Sequence, residues 1–272
     1  VIKLKDALDL SQKYTVVYGD EECSVTMPDW YSTKEFEDQY TYTGNDLGST
    51  WTKEATSFRL WAPTADSVTL NIYEGGTAGT ADKIASYPMT GGTRNEKGVW
   101  TYVANGDLNG KYYTYSVDVA NKVNEVCDPY ARTTGVNGKR AMILDLSTTN
   151  PDGWAADKNA VRHDGMAYTD AVIYELHVRD LSSDASSGVS EENQGKFLGL
   201  TETGTTTSGG QLTGLDHMID LGVTHVHLLP VYDYASVDET KLDTPQFNWG
   251  YDPLNYNVPE GSYSTDPYDG AV

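Results

Sequence analysis

Between Phe58 and Leu146, apolar and polar positions alternate in short runs: Phe58-Arg59-Leu60-Trp61, Val68-Thr69-Leu70-Asn71-Ile72-Tyr73, Trp100-Thr101-Tyr102-Val103 and Tyr112-Tyr113-Thr114-Tyr115-Ser116-Val117. A period of two marks strands with one face buried. Turn clusters separate the runs at Glu74-Gly75-Gly76, Thr90-Gly91-Gly92, Asn105-Gly106-Asp107 and Leu108-Asn109-Gly110, where hairpins need residues that tolerate positive φ. The pattern predicts an antiparallel, immunoglobulin-like β-sandwich over 55–147. Residues 1–54 carry mixed signals, including the loop-like stretch Gly44 to Gly48, and read as a strand-poor lead-in or the tail of a preceding domain.

A linker over 148–170 follows, and then the texture changes. Ala171-Val172-Ile173-Tyr174-Glu175-Leu176-His177-Val178 reads as a strand buried on both faces. Thr213 caps a predicted helix whose Leu215, Met218, Ile219 and Leu221 share a stripe, and Gly222 ends it. Val223-Thr224-His225-Val226-His227-Leu228-Leu229 is a second strand, so the segment predicts a parallel βαβ unit. The fold expected is multidomain: the all-β sandwich, then the first two βα units of an incomplete (β/α)8 TIM barrel in 171–272. A closed barrel takes about 250 residues, so the chain reads as an excerpt of a longer polypeptide. About 40 residues rich in Tyr, Asp, Asn, Pro and Gly follow Pro230, a length that marks a functional loop.

Composition narrows the partners. A formal charge of -21 repels phosphate backbones and anionic lipid, which argues against nucleic acid and anionic membrane surfaces. No apolar run reaches the roughly 18 residues of a membrane span. Aromatic content of 11% supports a real core. Cys23 and Cys127 are too far apart for a CxxC motif and read as two isolated buried thiols. The start, Val1-Ile2-Lys3-Leu4-Lys5, has no initiator Met and no secretory-signal layout, and reads as cut.

At Gln246-Phe247-Asn248-Trp249-Gly250-Tyr251-Asp252-Pro253 the chain resembles the YNWGYDP signature of type I pullulanases, debranching enzymes of the α-amylase superfamily (glycoside hydrolase family 13), with Phe247 in place of the first Tyr. Val172 to Asp180 and Thr224 to Val231 resemble the family's first two barrel strands. Phe58-Arg59-Leu60-Trp61-Ala62-Pro63, Asn109 to Tyr115 and Asp128-Pro129-Tyr130-Ala131 resemble a family 48 carbohydrate-binding module. The resemblance runs from about Tyr42 to Val272. It implies hydrolysis of α-1,6 linkages in branched α-glucan (pullulan, amylopectin, glycogen or limit dextrins), with retention, by carboxylates on later strands. No catalytic residue is therefore named, the chain alone is expected to be inactive, and the rest of the same polypeptide or a complementary chain is an expected partner.

Within this chain the resemblance makes Tyr251 the residue that stacks on the glucose ring before the cleaved bond, since an aromatic face complements the C–H edges of a pyranose. Asn248 and Asp252 would hydrogen-bond hydroxyls or hold the loop, and Trp249 would extend the platform or pin the turn; the aromatics of this loop could instead pack on the barrel rim. The family also implies a bacterial, extracellular or cell-surface enzyme. It requires no cofactor, although calcium could use hard oxygen ligands at Asn45-Asp46 or Asp266 to Asp269. Two alternatives stand: a noncatalytic α-glucan-binding module, and an isoamylase-like debranching enzyme, against which the Asn248 to Pro253 string argues.

Other polar positions admit plainer readings. Glu175 and His177 share a side of the first strand, where a buried carboxylate needs a partner; an ion pair with a barrel histidine or arginine is favoured over a catalytic acid. His225 and His227 share a face but lack a third ligand at fixed spacing, so core histidines are favoured over zinc. Trp61 is read as core rather than as a glucan contact.

Overall fold

Two units divide the chain, Val1–Ala131 with Lys139–Leu144 and Arg132–Gly138 with Asp145–Val272. The structure, a computed structural model, describes Lys5, Leu10, and residues 12–27, 29–156 and 165–272. The chain start Val1 to Leu4 and part of the expected linker, 157–164, lie outside the described residues.

The first unit opens with a hairpin of β1 (Thr15–Tyr18) and β2 (Glu21–Ser24), antiparallel and exposed along both strands. Helix α1 (Lys34–Tyr40) follows, its N-terminus capped by Thr33 Oγ1 accepting the Phe36 N–H at 3.2 Å. Strand β3 (Gly48–Trp51) then joins the sandwich. The lead-in is thus not strand-poor. Its hairpin shows no apolar alternation because neither face is covered, and period-two patterning records only strands with one buried side.

The sandwich continues with β4 (Ala55–Trp61), β5 (Ser67–Tyr73), β6 (Lys83–Pro88), β7 (Thr90–Gly91), β8 (Val99–Asn105), β9 (Tyr112–Val119), β10 (Lys122–Val126) and β11 (Ala141–Met142). One sheet has the order β3-β4-β8-β7 and the other β10-β9-β5-β6, with β11 also on β9, all antiparallel. Alternation along β4 sends Thr56, Phe58 and Leu60 inward; Val68, Leu70 and Ile72 of β5 are buried with Tyr113 and Tyr115 of β9. The Phe58 and Tyr113 rings meet edge to face, 5.0 Å between centroids, and Tyr87 of one sheet stacks on Tyr102 of the other at 4.7 Å. Strands β6 and β10 escaped the sequence pattern because they are largely exposed.

The Asp128-Pro129-Tyr130-Ala131 string closes this core. Asp128 is fully buried; burial pushes its carboxyl up, while the Tyr130 N–H (2.8 Å), Tyr113 OH (2.7 Å) and Tyr115 OH (3.3 Å) all donate to it. Trp61 is half-exposed rather than core: its indole N–H donates to the carbonyls of Tyr40 (2.9 Å) and Lys97 (3.0 Å), which ties α1 to the sandwich. Cys23 is exposed on β2, not buried, and is not joined to the half-buried Cys127.

In the second unit β12 (Ile173–Leu176) leads into α2 (Val178–Ser182), then a chain of 3-10 turns reaches α3 (Gly214–Asp220) and β13 (His225–Leu228). β12 and β13 pair in parallel, Ile173 opposite His225. Burial on both faces, expected of the first of them from its apolar sequence, is not found: Ile173 is 65% exposed, and Val226 of β13 is 48% exposed. Among the described residues these two strands have no flanking strand, so their faces meet solvent. The helix stripe behaves alike, with Met218 buried and Ile219 and Leu221 exposed.

The expected long loop after Pro230 contains a further antiparallel pair, β14 (Tyr232–Tyr234) and β15 (Pro253–Pro259), with shifts of register between them. Those shifts and the terminal prolines break the alternation that would have revealed the strands. Beneath them Val178, Tyr234, Val237 and Tyr263 form a small core, with Phe197, Leu200 and Leu228 against it.

Candidate functional site

The 246–253 segment lies between β14 and β15 and forms a tight loop. Gly250 has φ of +86°, and a Cβ there would lie 2.6 Å from the Pro230 carbonyl oxygen, so only glycine lets the loop pass. Asn248 organises the rest: its Oδ1 accepts the Gly250 N–H at 2.5 Å, and its Nδ2 donates to Asp252 Oδ1 at 2.7 Å and to the Ser236 hydroxyl. Hydrogen bonding, first from Ser236 and with Asn248 adding to it, holds the Asp252 carboxyl below its usual range against the opposing effect of burial.

The polar side chains of the motif therefore serve the loop itself, whereas its aromatic rings face outward. Tyr251 is 70%, Trp249 59% and Phe247 77% exposed. Phe247 and Trp249 stand edge to face at 6.1 Å. Exposed rings on a loop braced by its own hydrogen bonds make a fixed apolar surface, the kind that takes the C–H face of a sugar.

Glu175 and His227 form the ion pair that the strand pattern suggested, Oε2 to Nδ1 at 3.0 Å, but on the open face of the sheet rather than buried. His225 Nδ1 instead lies 2.8 Å from Thr224 Oγ1, so the two strand histidines are engaged separately, and both are exposed rather than core. His177 turns away from Glu175. Its Nε2 meets the Asn248 carbonyl oxygen at 2.9 Å and Tyr263 Oη at 3.0 Å.

The structure reveals a polar cluster that the sequence pattern did not signal. Asp233, Glu239 and Glu260 are buried, with carboxylate oxygens all within 4.8 Å of one another. Glu260 accepts the N–H of Tyr234 (3.0 Å) and Ser262 (3.1 Å); Glu239 accepts the N–H of Asn137 at 2.5 Å. The Asn255 amide donates both to Asp233 and to the Gly138 carbonyl at 3.0 Å, which fixes its nitrogen toward the cluster. In the acidic loops, Asp46 pairs with Arg59 at 3.0 Å, and Asp266 and Asp269 accept the N–H of Tyr268 and Ala271.

Burial pushes the carboxyls of Glu239 and Glu260 up to about 7, and neighbouring carboxylates add to the rise. The folded chain then holds protons that the unfolded chain, with its usual carboxyl value of 4.5, has released. Stability from these groups is complete below about pH 4.5 and is lost as pH rises through about 7. Carboxyls held low, such as Asp252, finish titrating on the acid side. Thermal melts are therefore expected to show a lower Tm at about pH 8.5 than at about pH 5.5, by an amount equivalent to a few kcal/mol at roughly 1.4 kcal/mol per unit. Infrared spectra should lose carboxylic-acid absorbance over the same interval; a Tm that climbs across it would contradict the raised carboxyls of Glu239 and Glu260.

Comparison with known proteins fits both the sandwich and the loop. Residues 46–131, within the two-sheet unit, match carbohydrate-binding module 48 (isoamylase N-terminal domain). The chain is 40% identical over 240 residues to the pullulanase of Bacillus subtilis, covering 87% of this chain and 30% of the relative. Among solved structures it resembles the pullulanase of Paenibacillus barengoltzii complexed with maltohexaose and α-cyclodextrin, with TM-score 0.81 and 51% identity, over 88% of this chain and 36% of that one. The pullulanase of Bacillus acidopullulyticus gives TM-score 0.84 at 40% identity, over 98% and 31%. Along most of its length the chain is thus similar to pullulanases. It spans about a third of the length of these relatives. Among the described residues no helix is long and apolar enough to cross a membrane.

Proposed function

We propose that the polypeptide of which this chain is part hydrolyses α-1,6-glucosidic linkages in branched α-glucans, with retention, and that the 246–253 loop forms one wall of its sugar cleft. The observation that carries this is the braced loop with outward aromatic rings, in a chain that matches pullulanases along most of its length. Tyr251 offers the stacking face; Trp249 extends it; Asn248 and Asp252 hold the loop and leave their remaining lone pairs for sugar hydroxyls. The two carboxylates that a retaining mechanism needs, about 5 to 5.5 Å apart, are supplied by polypeptide outside these 272 residues, in keeping with the third of a pullulanase that the chain spans. Residues 171–272 contribute the first two βα units of a (β/α)8 barrel. The bare faces of β12 and β13 and of α3 support this, because a barrel's neighbouring strands and helices would cover them.

Incubating the full-length polypeptide with pullulan tests the proposal. It should release maltotriose whose new reducing end is first α, while the 272-residue chain alone releases none. Products that show α-1,4 cleavage, or an initial β-anomer, would exclude it.

A further inference from the structure

β12 ends at Leu176, and His177 follows as the N-cap of α2 without donating or accepting a side-chain cap bond. Its imidazole reaches the motif loop instead. Nε2 lies 2.9 Å from the Asn248 carbonyl oxygen and 3.0 Å from Tyr263 Oη. A carbonyl only accepts, so Nε2 carries the proton and shares it between the two oxygens. Tyr263 is buried, wedged edge-on against Phe197 (5.3 Å) and Tyr234 (6.1 Å), so this arm of the fork is fixed by packing. The His177 ring stands edge-on to Tyr263 at 5.9 Å. Its other nitrogen, Nδ1, is buried without a hydrogen-bond partner; the Asp180 carboxylate stands 3.6 Å away. The one bonded nitrogen of this imidazole thus links the loop to Tyr263.

We propose that His177 is a positioning residue: it fixes the Asn248 carbonyl and so sets where the 248–252 loop, with Tyr251, meets the substrate. Asn248 is the position where such a hold is effective. Its side chain binds the Gly250 N–H and Asp252, so fixing its backbone fixes the loop as a unit. The consequence for substrate rests on the sugar-contact reading of this loop; the hold itself does not.

Two substitutions in the full-length polypeptide separate hydrogen bonding from packing. His177→Phe keeps a ring against Tyr263 but removes the N–H; His177→Gln loses the ring but keeps an N–H near Nε2. Amide hydrogen exchange at Gly250 to Asp252 is expected to quicken about tenfold in His177→Phe and to change little in His177→Gln. KM for pullulan should rise by a similar factor in the Phe variant alone, with Tm nearly equal in both. The reverse order, Phe tolerated and Gln damaging, would overturn the proposal, as would unchanged exchange in His177→Phe. Tyr251→Ala run in the same assay separates the two readings: if it leaves kinetics untouched while His177→Phe still loosens the loop, the sugar reading falls and the positioning role stands.

Discussion

Replacing Tyr251 by Ala in the full-length polypeptide is expected to lower kcat/KM on pullulan roughly hundredfold while leaving Tm nearly unchanged. The two parts of that result have separate causes. The ring is 70% exposed, so its removal uncovers little core and opens no cavity in this chain. What is lost is the flat apolar face that orients a pyranose and displaces water beside the bond to be broken, and misplaced substrate loses rate steeply. Tyr251→Phe should keep most of the rate, because the ring carries the effect rather than the hydroxyl. Equal losses of activity and thermal stability in Tyr251→Ala would instead mean that the ring holds the structure together.

Phe58→Ala should show the opposite signature, a loss of roughly 3–5 kcal/mol in the stability of the sandwich. Phe58 is wholly buried, its ring lies against Tyr113, and Tyr113 in turn donates to the buried Asp128. Truncation removes the contact and leaves a void beside the Tyr113 ring, and a close-packed interior relaxes only in part. Urea unfolding followed by tyrosine and tryptophan fluorescence would read the change as a lower midpoint. A midpoint within about 0.5 kcal/mol of the parent protein would show that the sheets do not depend on this contact.

Alternation exposed the sandwich core because strands such as β4 bury one side only, so Phe58 and Leu60 stand out between Arg59 and Ser57. The same rule passed over β10, exposed along its length, and β14, whose Tyr-Asp-Tyr turns an acid inward toward Glu239 and Glu260. Such a cluster has no sequence spacing to betray it; its members are joined only by the fold. In the loop, sequence supplied the residues and the glycine, whereas the mutual hydrogen bonds of Asn248 and Asp252, the part of Ser236, and the hold of His177 and Tyr263 needed coordinates. The apolar run Ala171 to Val178 predicts burial on both sides, which describes what its side chains require and not what the described residues supply.

The sharpest test of the loop's role is a crystal structure of the full-length polypeptide soaked with a branched maltooligosaccharide. A glucose ring lying flat on Tyr251, with Asn248 and Asp252 still bonded to each other beneath it, is the result this account predicts. Sugar bound elsewhere, with the Tyr251 ring covered by protein, would contradict it.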